Sequence, residues 1–422
     1  MNRRGFLVLV LLTAIALLTT ACGGAAPPAA QAPAQAPAAT EAPVANKEAA
    51  GEPYKIGLFF SVTGPASSLG VPERDTAQMV IEQVNEAGGI KGPDGKLHPL
   101  KGIFEDDQSN PDEAVLIVKK FIEQEKVPII VGGTGSPASM AVIDTVTQAK
   151  LPFISNASAS GIVVPVEERQ WIFKTPQQNL VVAQVQGDWL TANKVTKIAS
   201  LGVNNAFGAD SMEALRGVVK ELGIEIAYEG TFEPGDTDFS AQLTQVAGSG
   251  AEALIVHATP GEGAPLTVQF RDLGLEMPLV HNHGIGNKAF IELAGEAAEG
   301  VLFPIGKLLV AEGLPDSDPQ KTMLVKYIAD YSKHTGGGAP STFGGHAWDA
   351  MQMTIMALQE VGPDPAAIRD YLESIHNFAG ISGVFNLSSK DHNGIGKESL
   401  VMVQIKDGGW VYVTPEKYAS AQ

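Results

Sequence analysis

The sequence predicts an α/β protein made of two lobes, each a doubly wound parallel sheet, with a ligand cleft between them. From residue 54 onward, short apolar strands alternate with helical stretches, which is typical of parallel sheets covered by helices on both faces. Most of these strands run into a loop of small and polar residues. The length of 422 residues also exceeds what one ordinary core accommodates, so two lobes are expected.

The chain begins with a segment that has the features of a secretory signal peptide, residues 1–21. Arg3 and Arg4 precede an apolar run from Phe6 to Leu18, and small residues follow it. This run is shorter than the roughly 20 residues needed to span a bilayer as a helix. We therefore expect the protein to be exported, with no permanent transmembrane segment in the leader.

Cys22 is the only cysteine of the chain and directly follows this leader. Its position resembles the lipobox of bacterial lipoproteins, in which the thiol is acylated and becomes the mature N-terminus. Leu18 lies one place earlier than the usual leucine of that pattern, and Thr19 occupies its slot. The resemblance implies lipid attachment at Cys22, at the outer face of the cell membrane; a free or buried Cys22 after a conventional signal peptide is the alternative.

Residues 22–53 are expected to form a disordered tether. This segment is rich in Ala, Pro and Gln and has few large apolar residues, so it cannot bury enough surface to offset the entropy of ordering. Its repeated prolines favour an extended, semi-rigid chain. The membrane would then be contacted through the lipid anchor only.

The elements of the folded body follow from hydrophobic periodicity and from turn residues. The predicted strands are Lys55 to Phe60, Gly102 to Asp106, Pro128 to Gly132, Pro152 to Ser155, Lys197 to Gly202, Ile224 to Phe232, Ala253 to His257 and Pro278 to His281. The predicted helices include Thr76 to Ala87, Ala114 to Gln124, Met140 to Ala149, Ala209 to Leu222 and Pro265 to Leu273.

The loops at the carboxyl ends of these strands are the expected binding loops, because ligands of open α/β sheets bind there. They fall into two sets, which predicts two lobes that face a shared cleft. The first lobe is expected to comprise residues 54–175 and 303–377, and the second residues 176–302 and 378–422. Three hinge crossings would join them: near 171–176, near 300–304 and after Phe378.

A set of short motifs runs in order from Tyr54 to about Trp410. They are Thr63-Gly64-Pro65 with Gly70, Asn85 to Ile90, Glu105 to Asp107 with Asn110 to Val115, Ser136 to Ser139, Ile154-Ser155, Asp238 to Ser240, Gly284 to Asn287 and Gly295 to Gly300. Together they resemble the leucine/isoleucine/valine-binding protein family, periplasmic binding proteins of type I.

This resemblance implies two Rossmann-like lobes, no catalysis, and the permease and ATPase subunits of an ABC importer as partners. Family members hold an amino acid's carboxylate with amides and hydroxyls of two loops of the first lobe. Those loops carry the candidate ligand-binding residues Thr134, Gly135, Ser136, Ala157, Ser158, Ala159 and Ser160. Amides and hydroxyls suit this purpose, since a carboxylate accepts charge-assisted hydrogen bonds from them. Thr259, after a strand of the second lobe, is a further candidate.

Three further candidate positions depart from the family's pattern. Leu69 stands where amino-acid binders place an aromatic residue at the cleft rim, and Phe207 lacks the hydroxyl of another such aromatic. His283 occupies the place of the acidic residue that faces the ligand's ammonium, and imidazole cannot replace a carboxylate in that role. The expected ligand is therefore a carboxylate or amide without a free amine; Glu262 is the alternative partner for an ammonium.

Several alternatives remain open at this point. His257, His281 and His283 could converge on a metal, bond to the ligand or loop backbone, or serve structural roles. A hydrolase of a small amide or ester is the rival from another class, although no GxSxG elbow, P-loop lysine or dinucleotide fingerprint occurs, so no cofactor is expected. A sensor that feeds a surface receptor would use the same two-lobed architecture. The formal net charge of −18 argues against nucleic acid as a partner, and a monomer is expected.

Overall fold

The computed structural model describes residues 51–420. The expected leader and Cys22 lie outside these residues, as does the expected tether up to residue 50. In chain order the strands are β1 (Tyr54–Phe60), β2 (Ile90–Lys91), β3 (Leu97–His98), β4 (Leu100–Asp106), β5 (Ile130–Gly132), β6 (Phe153–Ser155), β7 (Ile172–Lys174), β8 (Lys197–Val203), β9 (Glu225–Phe232), β10 (Ala253–His257), β11 (Leu279–His281), β12 (Leu302–Gly306), β13 (Phe378–Ala379), β14 (Val384–Phe385), β15 (Leu400–Lys406) and β16 (Gly409–Val413).

The helices alternate with these strands through most of the chain. They are α1 (Ser67–Glu86), α2 (Pro111–Lys120), α3 (Ser136–Ala149), α4 (Asn179–Ala192), α5 (Ala206–Leu222), α6 (Ser240–Gly248), α7 (Pro260–Asp272), α8 (Lys288–Ala294), α9 (Lys321–His334), α10 (Thr342–Val361) and α11 (Pro365–Glu373). No helix among residues 51–420 is both long enough and apolar enough to cross a membrane.

Two sheets confirm the predicted α/β fold with two lobes. The first has the strand order β4-β1-β5-β6-β7, and all its pairings are parallel. The second has the order β16-β15-β12-β11-β10-β8-β9, in which β15 and β16 pair antiparallel at one edge. All eight predicted strands exist. The other strands of these two sheets, β7, β12, β15 and β16, were not predicted.

Local sequence signals explain why helices start at the ends of strands. Helix α2 begins at Pro111 after Asn110, whose side chain accepts from the amide of Asp112. Helix α5 begins after Asn205, which caps it in the same way. Gly70 and Gly208 let α1 and α5 approach their preceding strands, since a Cβ at either position would collide with the carbonyl of Ser61 or of Val203. These helix starts are therefore held against the sheet edge.

The lobe boundaries expected from the sequence differ from the pairing of the strands. Strand β12, expected mostly in the first lobe, pairs with β11 and β15 in the second sheet. Conversely, Ile381, Phe385 and Ile395, expected in the second lobe, pack in one hydrophobic cluster with β1 and with helices α9 to α11. Strand β12 includes Leu302 to Pro304 of the expected crossing near 300–304, and all of its residues are buried.

The folded body also begins earlier than expected. The amide of Gly51 donates to the carbonyl of Leu97 at 2.8 Å, and the carbonyl of Glu52 lies 2.7 Å from Nδ1 of His98. The ring of His98 stacks on Tyr54 at 4.0 Å between centroids. The last residues of the expected tether, Gly51 to Pro53, are therefore attached to the β2–β3 hairpin of the first lobe, which reduces the segment that a tether can occupy.

Candidate ligand-binding cavity

A cavity of about 360 Å³ lies between the two lobes, at the carboxyl ends of the strands of both sheets. This volume is in the range of sites that hold small organic ligands, on the order of 300 to 1,000 Å³. The first lobe contributes the loops after β1, β4, β5 and β6, and the second contributes the loops after β8, β9, β10 and β11. The topology thus places the cavity where the sequence predicted a cleft.

The structure brings most of the predicted site residues together in this cavity. Those that line it are Leu69, Thr134, Gly135, Ser136, Ala157, Ser158, Phe207, Thr259 and His283. Ala159 and Ser160 do not line it. Ala159 instead donates its amide to the hydroxyl oxygen of Ser136 at 3.2 Å, so it acts through a residue that does face the cavity.

Ser160 joins the two lobes instead of facing the cavity. Its amide and its hydroxyl donate to one carboxylate oxygen of Asp210, on α5 of the second lobe, at 3.1 and 3.2 Å. The same oxygen accepts from the side chain of Asn179 at 2.6 Å. A second bond between lobes runs from the side chain of Asn287 to the carbonyl of Ser68 at 3.1 Å. The lobes are therefore in direct contact around the cavity.

Helix N-termini converge on the cavity. Six helices of the described chain, α1, α2, α3, α5, α7 and α10, have residues of their first turn or cap in its lining. The first amides of a helix have no partner within it and carry the positive end of the helix dipole. Such termini favour a ligand that is an anion or is rich in hydrogen-bond acceptors.

The remaining lining is largely apolar. Leu69, Phe207 and Phe343 contribute the large apolar side chains, and prolines from several loops add to them. The ring of Phe207 lies 5.9 Å from that of His283 and is tilted by 56°. The cavity therefore combines a polar part that offers hydrogen-bond donors with an apolar wall that suits an aliphatic or aromatic group of the ligand.

The electrostatic environment of His283 disfavours a positive charge. Burial lowers the pKa of His283 to about 3, with smaller contributions from the charge of Lys174 and from His257. Its Nδ1 atom has no hydrogen-bond partner in the protein. Lys174 itself is buried and donates to the carbonyl of Ser158, and burial lowers its pKa to about 7. A neutral imidazole near a buried lysine does not provide a site for an ammonium.

Two buried carboxyl groups bond residues of the cavity lining, and neither is among the predicted site residues. Glu73, on α1, is fully buried and accepts from the hydroxyl of Thr134; Asp107 is equally buried and accepts from the hydroxyl of Ser61 at 2.6 Å. Burial, together with the neighbouring Asp107, raises the pKa of Glu73 well above its usual range. Glu73 stands in the charged run Glu73-Arg74-Asp75, which looks like a solvated helix face in the sequence.

Three further lining residues were missed as candidates, namely Asn156, His346 and Phe343. Asn156 lies in an expected binding loop, but its sequence neighbours gave no reason to single it out. His346 borders the cavity and bonds through Nδ1 to the hydroxyl of Ser382 at 2.7 Å. Phe343 and His346 lie on α10, far along the chain from the binding loops, so no local sequence pattern links them to the cavity.

Glu262 lines the cavity, yet both of its carboxylate oxygens already have protein donors. One accepts from the amide of Gly235 at 3.1 Å and the other from the hydroxyl of Thr259 at 2.9 Å. Glu262 thus fastens the loops after β9 and β10 to each other. This use competes with its proposed alternative use as partner of a ligand ammonium.

The three histidines considered for a metal do not form a metal site. Among residues 51–420, no three His, Cys, Asp or Glu side chains are placed to hold a metal ion. His257 and His281 are buried, and neither borders the cavity. His281 contacts the hydroxyl of Thr267 at 3.0 Å through Nε2, which is a structural contact.

Comparisons with known proteins agree with this architecture. The sequence profile of the family described as periplasmic binding protein matches residues 53–409. A Pseudomonas aeruginosa protein, named leucine-, isoleucine-, valine-, threonine-, and alanine-binding protein, is 25% identical over 332 residues, which cover 78% of this chain and 84% of that protein.

Solved structures share the fold over nearly their whole length. The crystal structure of an extracellular ligand-binding receptor from Rhodopseudomonas palustris HaA2 is 26% identical, with a TM-score of 0.79, and covers 86% of this chain and 100% of its own. The branched-chain amino acid transporter substrate binding protein LivJ from Streptococcus pneumoniae, in complex with isoleucine, is 24% identical with a TM-score of 0.74, covering 85% of this chain and 99% of its own.

Proposed function

The chain belongs to the periplasmic binding protein family that includes the Leu/Ile/Val-binding proteins, and from this premise we propose that it captures a small organic carboxylate or amide without a free amine and delivers it to an ABC importer. The predicted family resemblance is thereby confirmed. The observation that carries the proposal is the cavity itself, in which helix N-termini and hydroxyl groups meet an apolar wall.

The polar part of the cavity supports an acceptor-rich ligand group. Ser136 is the first residue of α3, and its hydroxyl oxygen accepts from the amide of Ala159. The hydroxyl proton of Ser136 has no acceptor in the protein, so it is available to the ligand. A carboxylate or amide oxygen placed at the start of α3 would receive this bond and the favourable field of the helix.

The absence of a free amine is supported by what surrounds His283. An ammonium next to this side chain would face a neutral imidazole and the charge of Lys174 in place of a carboxylate. The named amino-acid binder of P. aeruginosa and the isoleucine complex of LivJ make branched-chain amino acids the reference ligands. The proposed ligand lacks the free amine of these amino acids and keeps their apolar side chain.

The two-lobed architecture supports delivery to an importer. A ligand held by both lobes is bound more tightly when they are together, and therefore shifts the equilibrium toward the closed arrangement. Permease and ATPase subunits that recognise this arrangement would receive the loaded protein. We further propose that the exported protein is a monomer, attached at the outer face of the cell membrane through a lipid on Cys22, and that it has no catalytic activity.

A direct binding measurement tests the proposed ligand class. Thermal shift and then calorimetry compare how tightly the folded body binds leucine, 4-methylpentanoate and 4-methylpentanamide, which share one carbon skeleton. Since ligands that bind only the folded state raise the melting temperature, we expect shifts with the acid or the amide and a weaker one with leucine. Leucine binding as the tightest of the three would contradict the proposal.

A substitution locates the binding. Ser136→Ala removes the free hydroxyl at the start of α3 and is expected to weaken binding of 4-methylpentanoate by about tenfold, which corresponds to one charge-assisted hydrogen bond. Ser332→Ala, on α9 and outside the cavity lining, serves as the matched control and should bind like the unchanged protein. Equal losses in both variants would place the ligand elsewhere.

A further inference from the structure

A group of polar side chains on the first-lobe side of the cavity offers hydrogen-bonding capacity beyond the donors that would hold a carboxylate. Thr134 and Asn156 face the cavity, and Glu73 lies behind them without bordering it. The hydroxyl of Thr134 donates to Glu73 and accepts from the amide of Ser61 at 3.0 Å. Its proton is therefore committed, and one acceptor lone pair remains for a ligand.

Asn156 provides the second observation. It is 1% exposed, yet neither its amide oxygen nor its amide nitrogen is at hydrogen-bond distance from any protein partner. The amide oxygen of Asn156 is therefore available as an acceptor, and its amide nitrogen as a donor, without breaking any bond within the protein.

Each side chain thus offers one acceptor: Thr134 its remaining lone pair, and Asn156 its unpartnered amide oxygen. Buried polar groups are rarely left without a partner, and an unpartnered amide in a cavity wall indicates that the partner comes from the ligand. Thr134 and Asn156 are each two residues away from Ser136 and Ser158 along their loops. The place where a carboxylate is expected and this second group of acceptors are therefore neighbours.

We propose that Thr134 and Asn156 form a second polar subsite, which accepts a hydrogen bond from an uncharged O–H or N–H donor that lies next to the carboxylate of the ligand. Glu73 is the positioning residue that sets the polarity of this subsite. The inference rests on the proposed function, since both groups belong to one ligand. It narrows the ligand class to 2-hydroxy acids and to amino acids whose nitrogen is acylated.

An uncharged donor fits better than an ammonium. Glu73 does not line the cavity, and one of its carboxylate oxygens accepts from the hydroxyl of Thr134. Its neighbour Asp107 is engaged by the hydroxyl of Ser61 and by the amide of Ser109 at 2.9 Å. An ammonium would thus lose its hydration without meeting a carboxylate, whereas a hydroxyl or amide N–H needs only the oxygen atoms that Thr134 and Asn156 present.

The test compares ligands that differ only in the donor. Calorimetry of the full folded body measures the dissociation constants of 4-methylpentanoate, 2-hydroxy-4-methylpentanoate, N-acetyl-leucine and leucine. We expect the hydroxy acid to bind about tenfold tighter than the acid without a hydroxyl, because one buried acceptor gains its partner. Equal affinities of these two acids would overturn the subsite. Leucine binding tightest of all would overturn its preference for an uncharged donor.

Two substitutions test whether Asn156 and Thr134 cause the preference for the hydroxy acid. Asn156→Ala is expected to reduce the preference for the hydroxy acid to about twofold while the affinity for 4-methylpentanoate stays nearly unchanged. Asn204→Ala, whose side chain bonds Glu233 outside the cavity at 2.8 Å, is the matched control and should retain the preference. If Asn156→Ala does not fold, Thr134→Val removes the neighbouring acceptor with little change in shape and should have the same effect.

The two proposals fail in different ways. If no acid or amide binds, the proposed ligand class is wrong. If the acids bind but the hydroxyl makes no difference, or if Asn156→Ala and Thr134→Val both leave its effect intact, only the second subsite is wrong.

Discussion

At the scale of single residues, the cavity is defined by buried polar groups whose charge state depends on their surroundings. Lys174 is the clearest case, since it is 1% exposed at the end of β7 and its ammonium group donates to a backbone carbonyl instead of a carboxylate. Burial lowers its pKa to about 7, against the opposing influence of Asp210 and Asp391. A lysine in this state reduces the stability of the folded protein when it is charged.

This leads to a prediction about pH. In the unfolded chain Lys174 titrates near pH 10.4, so between about pH 7 and about pH 10 the unfolded state holds more protons and the stability of the folded state rises with pH. Lys174→Met lacks this contribution. We expect the variant's free energy of unfolding, relative to the unchanged protein, to be highest near pH 7 and to fall as the pH rises.

Urea unfolding at several pH values measures this difference. Lys220→Met, at an exposed position in the last turn of α5, is the matched control and should parallel the unchanged protein. Parallel curves for Lys174→Met as well would show that Lys174 keeps an ordinary pKa in the folded state.

At the scale of elements, the start of α5 connects the two lobes. Asp210 lies in the first turns of this helix and accepts from the amide and hydroxyl of Ser160, but it does not line the cavity. Asp210→Ala is expected to weaken ligand binding by about tenfold, because it removes charge-assisted bonds that exist only when the lobes are together. Most of the loss should appear as faster ligand dissociation.

Stopped-flow measurement of ligand dissociation tests this role of Asp210. Asp144→Ala, at an exposed position on α3, is the control and should leave the rate unchanged. Asp210→Asn keeps one acceptor oxygen and is expected to fall between the two. An unchanged affinity of Asp210→Ala would mean that the contact with Ser160 does not stabilise the closed arrangement.

The elements also show what the sequence could and could not predict. All eight predicted strands occur, and the clearest of them, such as β10, are short apolar runs followed by small or polar residues. Strand β7 has only two apolar residues before Lys174, and β12 contains Pro304, a residue that argues against a strand within a sheet. The helices begin earlier than predicted, since first turns such as Ser67 to Gly70 contain small residues without apolar periodicity.

The same distinction holds for the site. Loops at strand ends were predictable, so residues such as Ser136 and His283 were found from their place in the chain. Glu73 and His346 reach the site through the packing of α1 and α10 against the first sheet, at sequence distances that no local pattern encodes. Ser160 lies in an expected binding loop and donates to Asp210, because contact between lobes and contact with a ligand require the same hydroxyl chemistry.

At the scale of the whole molecule, several hydrogen bonds join the two lobes around the cavity. Beyond the bonds of Asp210 and Asn287, the hydroxyl of Thr342, on α10, donates to the carbonyl of Gly286 at 3.1 Å. These contacts join groups that water can also satisfy once the lobes separate, so their net contribution is modest. A ligand that bridges both lobes would then decide the balance between the open and the closed arrangement.

We therefore expect the protein without ligand to populate an open arrangement, and saturating ligand to reduce its radius of gyration. Small-angle scattering with and without 2-hydroxy-4-methylpentanoate measures this change. Asp210→Ala should be more open without ligand and should still close at saturation, because the ligand's contacts with both lobes remain. Identical scattering profiles with and without bound ligand would show that binding does not move the lobes, and an importer could not then distinguish the loaded protein by its shape.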